Sequence, residues 1–138
     1  MNLIMSPKIV LTANGVWMLT HTILFYFGSE LMVSEMSDLN EKGIITTIAN
    51  AKGMGLFALV PGIIFIFCRN IEIFSAKRLL VGAGIGYSIL TFFVIQAEFT
   101  IVQDHPDLAT PLPAIVIWVL LSFWMLLVGF KKDTNSSP

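Results

Sequence analysis

From Leu79 to Glu98 the chain runs for twenty residues with no charged side chain until the last. A segment of that length crosses a hydrocarbon core of about 30 Å as a helix. In lipid every backbone N–H and C=O must find its partner inside the protein, and an α-helix provides that within one segment. The basic pair Lys77-Arg78 precedes it, Gly82, Gly84 and Gly86 stand near its start, and Tyr87, Thr91, Gln96 and Glu98 punctuate the rest. Glycines and polar groups on more than one side of a helix are costly to leave facing lipid, so protein is expected around it.

Three further apolar stretches make the whole chain read as an all-α, integral membrane four-helix bundle. The spans are expected over 9–27, 48–68, 79–98 and 112–130, with outer loops 28–47 and 99–111 and a polar tail 131–138, all in one transmembrane domain 1–138. Composition agrees: 56% of the 138 residues are hydrophobic and 12% are charged, against about 25% charged in a soluble domain. A net charge of −1 argues against a nucleic-acid partner, which calls for a basic face. Cys68 is the only cysteine, which excludes an internal disulfide and any paired-cysteine redox chemistry. Ile9 to Phe27 exceeds a signal-peptide core of about 7–15 residues and no small-x-small site follows, so it reads as a permanent span.

Local signals refine the spans. Pro7 suits a first helical turn and Lys8 marks a membrane face. Leu31, Met32, Met36 and Leu39 interrupt an acidic loop in an amphipathic way, which predicts a short interfacial helix, and Ser37 or Asp38 can cap a piece leading into the second span. That span starts before Lys52, whose ammonium can snorkel to the interface. Ala51 with Gly55 and Ala58 with Gly62 form small-xxx-small pairs that favour close helix approach, and Pro61 predicts a kink. A connector is expected over 69–78. Pro111 and Pro113 open the fourth span, in which Ser122 is the only polar group besides two tryptophans. The two halves do not match in glycine, proline or polar placement, so an inverted repeat finds no support.

Basic residues set the orientation. Four spans put Lys8, Arg69, Lys77, Arg78, Lys131 and Lys132 on one side and Lys42 and Lys52 on the other. The positive-inside rule then places both termini in the cytoplasm or its equivalent, in a bacterial or archaeal inner membrane or an organellar one.

Asn14, Trp17, His21, Phe25 and Gly28 recur at spacings of three and four and form one face of the first span. In the third, Gly82, Gly86, Ile89, Phe93 and Gln96 fall within roughly ±40° of one another, while Gly84, Tyr87, Thr91 and Glu98 lie on the opposite side. Gly82-xxx-Gly86 makes a groove for helix packing, as do Gly55 and Gly62 in the second span. The first and third spans run the same way, so His21 is expected level with Thr91, and Asn14, Trp17, His21, Tyr87 and Thr91 form the candidate ligand site. An imidazole there can serve a haem, pigment or quinone; equally, it can be a neutral histidine bonded to Thr91, Tyr87 or a backbone carbonyl. No cofactor is required by the sequence, and bis-histidine haem is excluded because His105 lies in a loop.

Other motifs fare less well. Asp104-His105-Pro106-Asp107 offers oxygen and imidazole ligands, but no metal spacing rule is met and Pro106 signals a turn, so a solvated loop is favoured and no metal site is assigned. Gly82-x-Gly84-x-Gly86 follows no strand, which rules out a dinucleotide loop. No nucleophilic triad sits at matching depth, so an enzyme is the less favoured reading. Small multidrug exporters place a carboxylate in their first span, where this chain has Asn14 and His21, and vitamin K epoxide reductases need cysteine pairs. The span layout and Gly53-Met54-Gly55 are similar to small bacterial DoxX-like membrane proteins, a resemblance of layout that assigns no residue a role. The expected function is an accessory or structural subunit packed against a larger integral membrane complex, its partners being the bilayer and other membrane subunits or copies of itself. The alternative is a bundle holding a hydrophobic ligand, quinone or pigment between the first and third spans, or a small membrane enzyme or transporter.

Overall fold

A computed structural model describes residues 3–34, 40–100 and 110–132. Among these residues all regular structure is helical. A 3-10 turn at Leu3–Met5 leads into α1 (Pro7–Phe27), α2 (Ser29–Ser34), α3 (Glu41–Cys68), α4 (Ile73–Thr100) and α5 (Leu112–Phe130). Helices α1, α3, α4 and α5 are each long and apolar enough to cross a membrane, the signature of a multi-pass membrane protein.

Two helices start earlier than the hydropathy pattern predicts. Helix α3 begins at Glu41 instead of 48 because Asn40, in extended conformation, caps it: its side-chain oxygen accepts from Gly43 N at 2.8 Å. The alternative caps Ser37 and Asp38 lie outside the described residues. Helix α4 begins at Ile73, so the connector expected over 69–78 shrinks to the four residues 69–72, and Glu72 O accepts from Ala76 N at 2.9 Å. Lys77 and Arg78 are good helix formers, so the helix does not stop where the hydrocarbon does. At 28 residues apiece, α3 and α4 span about 42 Å, beyond a core of about 30 Å and into the headgroup region. Pro61 sits inside an uninterrupted α3.

The chain forms two compact units. In the unit Leu11–Arg69, α1 and α3 meet backbone to backbone where glycines remove the side chain. A Cβ at Gly55 would lie 3.0 Å from Tyr26 N and 3.1 Å from Thr22 O, and one at Gly62 would lie 3.1 Å from Leu19. Gly15 repeats the device, 3.2 Å from the Gly62 carbonyl. Helix α2 is the short helix expected after Gly28. Its Glu30 carboxylate accepts from Lys52 Nζ at 3.2 Å, so the ammonium of α3 is drawn toward α2. That exposed pair contributes little to stability.

The second unit joins Met1–Val10 to Asn70–Pro138. Helices α4 and α5 approach closely at two glycines: a Cβ at Gly84 would meet Leu126 at 2.8 Å, and one at Gly129 would meet Val81 Cγ2 at 2.6 Å and the Lys77 carbonyl at 3.2 Å. Ala76, Leu80, Gly84, Tyr87 and Thr91 make the buried stripe of α4, at helical spacing. The two ends are tied by polar contacts. Lys77 Nζ donates to the Lys131 carbonyl at the close of α5 (2.6 Å), Trp124 Nε1 donates to Ile4 O (2.9 Å), and Glu98 accepts from Thr110 N (2.7 Å) ahead of α5.

Gly129→Leu is expected to destabilise the protein by about 1–3 kcal/mol, because backbone lies behind the first clash. Gly53, where a Cβ meets nothing within 4 Å, provides the control: Gly53→Leu should leave the thermal unfolding midpoint in detergent unchanged or raise it.

Candidate functional site

Within the first unit, the Asn14–Phe25 face carries an aromatic ladder. His21 lies edge-on to Trp17 with ring centroids 4.5 Å apart, and stacks on Phe25 at 5.7 Å. Its Nδ1 is 3.1 Å from the Trp17 carbonyl, one turn back. A carbonyl only accepts, so Nδ1 carries the proton in this contact and the imidazole is held by its own helix. Asn14 is fully buried, and the Trp17 indole N–H is buried with no hydrogen-bond partner among the described residues.

In the second unit Thr91 donates to the Tyr87 carbonyl at 2.7 Å, so its hydroxyl is satisfied locally. Tyr87 is 7% exposed, yet its hydroxyl has no partner among the described residues. An unpaired buried hydroxyl is unusual and marks a place where water or a ligand group fits. Asn14, Trp17 and His21 belong to one unit and Tyr87 and Thr91 to the other.

A second polar cluster escaped the sequence reading. Ser122 Oγ on α5 donates to the Gly84 carbonyl of α4 at 2.9 Å, Ser88 Oγ lies 2.9 Å from the same oxygen, and the two hydroxyls are 2.6 Å apart. Two protons cannot serve three contacts at once. One hydroxyl donates to the carbonyl and the other donates to the first, since two unprotonated lone pairs at that separation would repel. The signal was present in the sequence as depth: Ser88 and Ser122 both stand near the middle of their spans, and antiparallel neighbours align at mid-membrane. Beside this cluster lies a cavity of about 350 Å³ between α4 and α5, lined by Ser88, Thr91, Phe92, Val119, Ser122 and Phe123, among others.

The glycines of α4 divide by face. Gly84 is buried against α5, whereas Gly82 and Gly86 are exposed and a Cβ at either would meet nothing within 4 Å. The helix contact within this unit therefore uses the Gly84–Tyr87–Thr91 strip, and the Gly82–Gly86 groove has no occupant among the described residues of this unit. Gly55 and Gly62, by contrast, both sit in the contact between α1 and α3. Glu98 is the anchor for the backbone ahead of α5. The Asp104–Asp107 loop lies outside the described residues, and among those described no group of His, Cys, Asp or Glu is arranged to hold a metal.

Comparison with protein-family models, with curated proteins and with solved structures finds no match to this chain, so the DoxX-like layout gains no support from it.

Tyr87→Phe is expected to leave the unfolding midpoint unchanged or raise it, since removing an unpaired buried hydroxyl relieves about 1 kcal/mol or more of desolvation. A fall would show that the hydroxyl has a partner. Ser122→Ala should lower stability by about 0.6–1.7 kcal/mol, the range for interhelical bonds in membranes.

Proposed function

We propose that this protein is a small accessory subunit of a larger integral membrane assembly, and that it packs against its partner through the α4 face bearing Gly82 and Gly86. The observation that carries this reading is the open space at those two glycines on an exposed face. Each glycine in a helix interior costs about 0.5–1 kcal/mol relative to alanine. Gly84 offsets that cost by admitting α5; Gly82 and Gly86 have no such contact among the described residues of their own unit. Ile89, Phe93 and Gln96 continue the same face and are also exposed. The Gln96 amide favours a protein neighbour, because hydrocarbon offers it no hydrogen bonds. A transmembrane helix of another subunit meets all of these features. Both termini are read as cytoplasmic from the distribution of Lys and Arg, in an inner or organellar membrane.

A second reading rests on the cavity between α4 and α5, whose volume falls in the range of small-molecule sites. It makes the protein a carrier or binder of a hydrophobic chain. The pairing of Ser88 and Ser122 leaves no proton to donate outward, so an apolar group suits the cavity better than a polar one.

Purification in mild detergent with native mass and an absorption spectrum separates the readings. The accessory-subunit reading expects a mass above the 15.3 kDa monomer that includes a second integral membrane protein. It further expects Gly82→Leu/Gly86→Leu to release a folded monomer whose thermal midpoint is unchanged or raised. A wild-type monomer that copurifies with nothing and carries no ligand would sink both readings. Retention of a hydrophobic small molecule that Val119→Trp abolishes would favour the second.

A further inference from the structure

One end of the second unit gathers basic side chains from three separate parts of the chain. Helix α4 contributes Lys77 and Arg78, the residues following α5 contribute Lys131 and Lys132, and the start of α1 contributes Lys8. Their convergence is built by specific contacts. Close approach at Gly129 brings the end of α5 against the Lys77 turn, and Lys77 Nζ donates to the Lys131 carbonyl. Trp124 Nε1, two turns before Lys131, holds Ile4 O and so keeps the segment leading to Lys8 at this end. Glu72 is the one acidic side chain at this end among the described residues, and Asp133 lies outside them.

We propose that this end binds the headgroup of an anionic phospholipid, with Arg78, Lys131 and Lys132 facing the phosphate. Three features point to a lipid. The cations lie where the apolar spans end, with exposed Phe74 and Phe130 beside them, which is the depth of phospholipid phosphates. Arg78 is held with its guanidinium carbon 4.3 Å from the Phe74 ring centroid. A guanidinium stacked in this way keeps its planar edge of N–H donors available for bidentate contact with phosphate oxygens. Finally, charge is strongly one-sided: five cations stand against one described acid here, whereas Glu98 marks the opposite end. The positive-inside rule accounts for basic residues on one side of a membrane but does not require that they select a lipid. Selection is the added content, and it is independent of any contact at Gly82 and Gly86.

The test is native mass spectrometry of the full chain in mild detergent, supplied with equal amounts of phosphatidylglycerol and phosphatidylcholine bearing the same acyl chains. The wild type is expected to retain phosphatidylglycerol preferentially. Each neutralised cation should reduce that preference by about fivefold, so Arg78→Gln alone should lower it measurably and Arg78→Gln/Lys131→Gln/Lys132→Gln should abolish it. Lys42→Gln, in the other unit, should have no effect. The triple variant's thermal midpoint reports whether it has folded, and Arg78→Gln stands as the test if it has not. Equal retention of the two lipids by the wild type would overturn the proposal. So would an unchanged preference in folded Arg78→Gln and triple variants. Full displacement of the lipid by millimolar inorganic phosphate would overturn it too, by showing a general anion site in place of a lipid one.

Discussion

The bond from Ser122 to the Gly84 carbonyl depends on the absence of a side chain at position 84. A Cβ there would lie 2.8 Å from Leu126 and push α5 away from α4; without one, the helices approach closely enough for a short serine to reach a backbone oxygen on its neighbour. Helices in a bilayer are not driven together by burial of apolar surface, because lipid tails are as apolar as leucine. Association rests on van der Waals fit and a few interhelical hydrogen bonds, and both need small residues at the crossing. The same logic governs α1 and α3, where a Cβ at Gly15 or Gly55 would lie 3.0–3.2 Å from backbone of the facing helix and one at Gly62 would lie 3.1 Å from the Leu19 side chain. Glycine, often a breaker of soluble helices, is here the residue on which each helix pair depends.

Most polar side chains in the spans are then accounted for by their own helices. Thr20, Thr22, Thr46, Thr91 and Thr100 all donate to the carbonyl four residues back, and His21 Nδ1 meets the Trp17 carbonyl in the same relation. A hydroxyl so bonded has no need of a partner helix and marks no site. That leaves the Trp17 indole N–H and the Tyr87 hydroxyl as the buried donors that local bonding does not serve. They are poorer at finding their own backbone because their polar atoms stand at the far side of a ring.

How much of this was legible in the sequence follows from which physical quantity each feature reflects. Spans show as long apolar runs, because hydrocarbon thickness imposes their length, and all four appear as helices. The starts of α3 and α4 were misplaced because hydropathy marks where apolar residues begin, while a helix begins at its cap. Asn40 holds the Gly43 N–H twelve residues before Lys52, in a stretch too polar to read as membrane. Opposite glycine faces on α4 were readable from the helical period, but which face meets α5 was not. That choice is made by Leu126 and Ser122 on the other helix, and no property of α4 alone contains it. The serine cluster escaped notice for the same reason, since Ser88 and Ser122 become a pair only when two antiparallel spans are aligned by depth.

Gly82, Gly84 and Gly86 also explain why α4 differs from its neighbours. Residues two apart on a helix point about 200° from each other, so alternating glycines thin the helix on opposite sides at one level. One thinned side is occupied by α5. A helix needing only that contact would keep Gly84 and carry alanine, leucine or isoleucine at 82 and 86, gaining helical stability and lipid contact together. Glycine at both positions lowers stability for a gain that the contact with α5 does not collect. In the accessory-subunit reading proposed above, a close-approaching helix of another subunit supplies that gain, since no lipid chain needs two consecutive turns cleared of side chains. On that proposal the exposed groove and the buried one are the same device used twice, with the partner directly across α4 from α5.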